Sequence, residues 1–166
     1  MSDDQTARLG LPMLQPGQAQ KELYHNEALA LIDLTLHATV EAIGLNAPPA
    51  NPTPGTCWVV GAAPTGAWAG VAHRLAGWTA GGWRFVPPID GMTVWSLSDA
   101  LEARFVDDSW VVGDTQVARL MIGGVQVVGA RQPGIADPVG GATIDVEARA
   151  ALALILSALT AHGLIA

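Results

Sequence analysis

Leu29, Ile32, Leu36, Val40 and Ile43 recur at steps of three, four, four and three, the spacing of one face of an α-helix, and His25 lies on the same stripe. The pattern predicts a long N-terminal helix within residues 18–44, running from Gln18 to about Ile43 and stopped by Gly44. Leu23, Ala28, Leu31 and Leu34 widen the stripe, so the helix needs more than one packing partner. A second helix is expected within 143–166, starting at Thr143 or Asp145, running to about His162 and capped by Gly163. Ala148, Leu152, Ile155 and Leu159 repeat there at four, three and four, and Asp145 and Glu147 place negative charge in the first turn.

Between the helices the period changes to two. Residues 55–113 hold all six tryptophans in short runs separated by glycine turns: "TCWVVG", "GVAHRLAGW", "GWRFV", "MTVWSL" and "ARFVDDSWVV". This spacing predicts a small antiparallel β module of five or six strands, barrel-like in form. Asp107–Asp108–Ser109 reads as the turn of a tight hairpin. Residues 1–17 read as an extended leader with no period, and "NAPPANPTPG" as a rigid linker, because its prolines exclude helix interior and central strand. Residues 114–142 predict two short strands broken at Gly123–Gly124, then an irregular loop. The fold class is therefore α+β, a Trp-rich module bracketed by two helices.

The net charge of -7, with Lys21 as the only lysine and no Arg cluster, argues against a nucleic-acid partner. No apolar run reaches the ~18–20 residues that span a bilayer, so membrane insertion is not expected, and no secretory signal is visible at the N-terminus. Charged residues make up only 14% of the chain, which suits a protein that hides surface against copies of itself. In such a homo-oligomer, a trimer for preference and intertwined, Leu29, Ile32, Leu36, Val40, Ile43, Leu152, Ile155 and Leu159 would line the interface.

Candidate chemistry is sparse. Cys57 lies inside an apparent strand and reads as a buried thiol. His25, His37, His73 and His162 have no metal-ligand spacing, and no cofactor motif is present. Glu22, His25, Asn26 and Glu27 form a polar group best explained by packing at a helix–helix junction. Asp90, Asp99, Asp107 and Asp108 could supply a carboxylate pair for glycoside hydrolysis, but each also has an ordinary turn role. Alternation puts Trp83 and Phe85 on one strand face and Arg84 and Val86 on the other. Trp83, Trp95 and Trp110 are assigned to the core. Trp68 in "GAWAG" and Trp78 in "AGWTAGG" are flanked by small residues and are assigned to the surface, where a ring can stack on a sugar face. With Arg84 they are the candidate ligand-binding residues; no catalytic residue is assigned.

Three segments carry a resemblance: "LPMLQPGQAQKELYHNEALALID", "GGWRFVPPIDGMTVW" and "VVGARQPGIADPVGGATIDVEARAALALILSALTAHGLIA". In them the chain resembles the DUF2793-like family of alphaproteobacterial phages, prophages and gene transfer agents. The resemblance implies a non-enzymatic structural or host-attachment component of a phage-like particle, a tail fibre or related part. It also implies assembly in the cytoplasm into the virion tail, contact with other tail or baseplate proteins, and binding of cell-surface polysaccharide. The residues leave two alternatives open, a free-standing carbohydrate-binding module and a small cell-wall or capsule hydrolase.

Overall fold

The computed structural model describes residues 4–15, 17, 21–137, 139–140, 145–161 and 164–165. The expected helix limits at Gln18, Thr143 and His162 and the expected cap at Gly163 lie outside the described residues. The chain divides into two compact units, Met1–Asp114 and Thr115–Ala166.

The first unit begins with helix α1, Lys21–Thr35, which is shorter than the sequence predicts. Its last turn closes with Leu36 N–H bonding the Ile32 carbonyl at 2.9 Å, and His37 then adopts a left-handed φ of 49°. Thr39–Val40 forms strand β1 and Ile43–Leu45 forms β2. The β-branched Thr39, Val40 and Ile43 fit a pleated sheet better than a helix, and both segments find strands to pair with. Val40 and Ile43 thus keep the spacing of a helical stripe while serving two different sheets. Val40 is buried within the chain and Ile43 is half-buried against the same core. Of the expected interface residues on this stripe, only Leu29 and Ile32 lie on α1 itself, and Leu36 directly follows it.

Six strands follow: β3 Cys57–Val60, β4 Leu75–Thr79, β5 Gly82–Val86, β6 Thr93–Ser96, β7 Leu101–Val106 and β8 Ser109–Val112. They form two open four-stranded sheets, ordered β2-β3-β4-β5 and β1-β6-β7-β8. The predicted barrel is not formed. Each sheet is led by a parallel pairing, β2 with β3 and β1 with β6, and continues as an antiparallel meander. The residues between β1 and β2 pass the chain from one sheet to the other, so each sheet keeps its own free edges instead of closing on the other. The turn of the β7–β8 hairpin is Asp107–Asp108, both at positive φ, and Ser109 already pairs with Val106.

Two apolar clusters hold the sheets. One gathers Leu34 and Ala38 from the end of α1 and beyond, Val40, Val94 and Ala103 from one sheet, and Cys57, Val59 and Leu75 from the other. The Trp110 Nε1–H also crosses between sheets, donating to the His73 carbonyl at 2.8 Å. The second cluster covers the opposite face of β3–β5 and contains Trp58, Val60, Trp68 and Ala76, with Trp78, Trp83 and Phe85 packed against it. The predicted alternation therefore holds: Trp83 and Phe85 face the tryptophans, while Val86 faces the shared core. Gly77 is buried where Leu34 meets β4, and a Cβ there would collide with the Leu34 methyl carbons. Gly77→Ala should therefore lower the melting temperature by prising α1 from the sheet.

Cys57 is buried, as expected, and desolvation pushes its thiol up to about 11. The neutral thiol is favoured by the fold, so this contribution to stability is complete below the unfolded-state value near 9 and is lost as pH rises from there through about 11. A thiol reagent at pH 8 should label Cys57 only in denaturant. Labelling of the native protein at the unfolded rate would contradict this burial.

The second unit contains β9 Leu120–Ile122, β10 Val125–Val128 and helix α2 Val146–Ala161. The hairpin turns at Gly123–Gly124 as predicted, and its register shifts between Gln126 and Val128. The Asp145 carboxylate accepts the Ala148 N–H at 2.8 Å and caps α2. Among the described residues of this unit Ile165 alone is buried.

Candidate functional site: a cleft between the leader, the first helix and a β-hairpin

The leader is a hook and not an extended strand. Gln5 pairs with Pro12, and Thr6 N–H bonds the Leu11 carbonyl at 3.0 Å. Asp33, 3% exposed, anchors the hook. Its carboxylate accepts the Thr6 hydroxyl at 2.8 Å, the Arg8 N–H at 3.0 Å and the Leu9 N–H at 2.6 Å. Arg8 answers by donating to the Asp33 and Leu36 carbonyls and, at 2.9 Å, to that of His37. A cation thus sits on the orphan carbonyls at the C-terminus of α1, where the helix dipole favours it. Farther along, the Asn26 amide binds both Leu14 N–H and Leu14 C=O, at 2.9 and 3.0 Å.

This clamp leaves a cleft of about 690 Å³ between the hook, α1 and the β4–β5 hairpin. Its walls include Met13, Leu23, Ala30 and Leu34, with Asn26, Glu27 and Arg84 as polar groups. Arg84 Nε lies 2.7 Å from a Glu27 oxygen, and the two side chains are 30% and 45% exposed. Arg84 Nη1 donates to the Gly81 and Trp83 carbonyls, so the guanidinium is held in place from the sheet side. A partly exposed, pre-oriented Arg–Glu pair offers both donors and acceptors to a polar ligand while carrying no net charge.

Two of the three candidate ligand-binding residues, Trp78 and Arg84, line this cleft. The ring of Trp78 packs edge-on against Trp83 at 5.0 Å. Trp68 does not reach the surface: it is fully buried, 5.1 Å from Trp83 and 6.3 Å from Trp58. Its glycine-flanked segment is a 3₁₀ turn, Gly66–Trp68, that folds the ring under the sheet. Trp95, assigned to the core, is 47% exposed on the outer face of β6, while Trp110 is half-buried. Of the polar group on α1, Asn26 and Glu27 pack against the leader and the sheet, not against another helix. Asp33 and Thr6 were not singled out from the sequence.

The remaining candidate interface residues divide. Leu29 is half-buried, and Ile32 and Leu36 are exposed. Leu152 and Ile155 are exposed and Leu159 is half-buried on α2. Three of the four aspartates have local roles. Asp107 and Asp108 form their turn, and Asp99 accepts bonds from Ser96 and Ser98. Among the described residues no three His, Cys, Asp or Glu side chains are grouped to hold a metal ion, and no helix is long and apolar enough to cross a membrane.

Residues 25–111, from within α1 to within β8, match the family model described as "Protein of unknown function (DUF2793)". The chain belongs to the DUF2793 family. No curated protein matches it. The DUF2793 match covers both four-stranded sheets up to Val111 of β8 and the Glu27–Arg84 pair, and it leaves the hook and the second unit outside.

Proposed function

We propose that this DUF2793 protein is a non-enzymatic structural and host-attachment component of a phage-like or gene-transfer-agent particle. Its family domain binds cell-surface polysaccharide in the cleft between hook, α1 and β4–β5. The observation that carries the reading is the Arg84–Glu27 pair set in the cleft wall beside apolar side chains. The cleft volume is in the range of small-ligand sites, and its polar groups suit the paired donors and acceptors of sugar hydroxyls. The particle context is supported by the resemblance of the leader, the "GGWRFVPPIDGMTVW" segment and the tail to proteins of alphaproteobacterial phages and gene transfer agents. In that setting the protein is assembled in the cytoplasm and meets other tail or baseplate proteins.

The test is titration of isolated envelope polysaccharide against the wild type and Arg84→Ala. A half-exposed ion pair adds at most about 1 kcal/mol to stability, so the variant should melt within a few degrees of wild type. Its affinity should fall at least about tenfold, as expected when a charge-assisted hydrogen bond to ligand is removed. Equal affinity of the two proteins would remove the cleft from recognition.

A further inference from the structure

We infer that the Thr115–Ala166 unit is an assembly element whose partner is the same unit of further copies of this chain. Among its described residues only Ile165 is buried, so these residues form no core of their own. Every residue of β9 and β10 is exposed, so neither face of the hairpin is covered, and a two-stranded hairpin is at best marginal alone. Helix α2 has no buried residue, although "VEARAALALILSALTA" carries only Glu147 and Arg149 as charges. A helix apolar nearly all round belongs in an interior. Val125 is 66%, Leu154 73% and Ile155 55% exposed. With their neighbours, such side chains open on the order of 1,000 Å² of apolar surface, at or above the ~800 Å² per partner of a standard interface.

Charge selects the occupant. Residues 115–166 hold Arg119, Arg131 and Arg149 against Asp137, Asp145 and Glu147, so this unit is neutral and the chain's net -7 resides in residues 1–114. Copies meeting through the second unit incur no net repulsion, whereas copies meeting through the first would. A strongly charged partner finds no complement on this surface. The surface is instead that of a domain core cut in half, the kind obligate homo-oligomers share. The family match ends before this unit, so assembly and recognition fall on separate parts of the chain.

Sedimentation equilibrium of the full chain at micromolar concentration should give a mass at least twice the 17.1 kDa of one copy. Leu154→Glu/Ile155→Glu, and independently Val125→Lys/Val127→Lys, should return it to one copy. All six tryptophans lie between residues 58 and 110, so unchanged tryptophan emission shows that the first unit stays folded in both variants. Dilution of the wild type through its dissociation range should lower the far-UV helix signal while tryptophan emission stays constant. A single-copy mass for the wild type overturns the inference, including the case in which it associates only with a foreign protein. Wild-type mass in both variants overturns it as well, since assembly would then run through the first unit.

Discussion

Trp68→Ala should destabilise the first unit by roughly 3–5 kcal/mol, the cost of removing a fully buried tryptophan. The ring is 0% exposed and lies within 5.1 Å of Trp83 and 6.3 Å of Trp58, so its removal leaves a cavity bounded by other rings. Trp83 meets Trp58 at 5.6 Å, Trp78 at 5.0 Å and Phe85 at 6.4 Å, and loses one of its edge-on partners in the variant. Those contacts exceed simple area burial by about 0.5–1.5 kcal/mol a pair. Trp95→Ala is the matched control. Its ring is 47% exposed on the outer face of β6, opposite Thr39 and Glu102, and its loss should move stability by no more than about 1 kcal/mol. Urea unfolding followed by far-UV circular dichroism compares the two without relying on tryptophan emission. Equal midpoints would show that the tryptophan cluster is not what holds β3–β5 together.

The two tryptophans also show where sequence reading succeeds and where it stops. Period-two alternation placed Trp83 and Phe85 opposite Val86 correctly, because strand geometry alone decides that. The Asp107–Asp108 and Gly123–Gly124 turns are equally local and were legible, whereas Asp145 was read as first-turn charge and proves to be the cap of α2. Trp68 was not, since small flanking residues permit a turn without saying which way the ring leaves it. Trp95 alternates correctly with buried Val94 and Ser96, but which face of β6 is covered depends on the other sheet. Val40 and Ile43 satisfy a helical spacing and a strand propensity at once. Only their parallel partners, β6 and β3, decide between the two. Those distant pairings also keep the sheets open, so the barrel expectation failed for the same reason. In the cleft, Arg84 was legible as a polar residue on the face opposite Trp83. Its partner Glu27 is 57 residues away on a helix, and the Asp33 clamp draws its donors from an aperiodic Pro/Gly leader. Neither leaves a local signal.

Asp33→Ala should release the leader and open the cleft at a cost of about 2–4 kcal/mol. The carboxylate receives Thr6 Oγ1, Arg8 N–H and Leu9 N–H together, and removing it strands donors that would each cost roughly 1–3 kcal/mol if left buried. The hook can instead swing into water and rehydrate them, which is why the total stays below the sum. Release should then expose the Arg8–Leu9 peptide bond. In the wild type the Arg8 side chain is occupied with the carbonyls at the end of α1, so trypsin should cut there slowly. In Asp33→Ala the cut should appear at least about tenfold sooner, a rise in local opening worth ~1.4 kcal/mol or more. The rings of Trp58, Trp68 and Trp83 pack in a cluster that includes no hook residue, so β3–β5 should stay folded, while Trp78, which borders the cleft, should report its opening. Polysaccharide binding should weaken alongside, because Thr6, Ala7, Arg8 and Met13 form one wall of the cleft. Asp33→Asn keeps one acceptor oxygen and should fall between the two proteins. Mass spectrometry of timed tryptic digests reads all three. An Arg8–Leu9 bond as resistant in Asp33→Ala as in wild type would mean that the leader is held by its apolar contacts and not by the buried carboxylate.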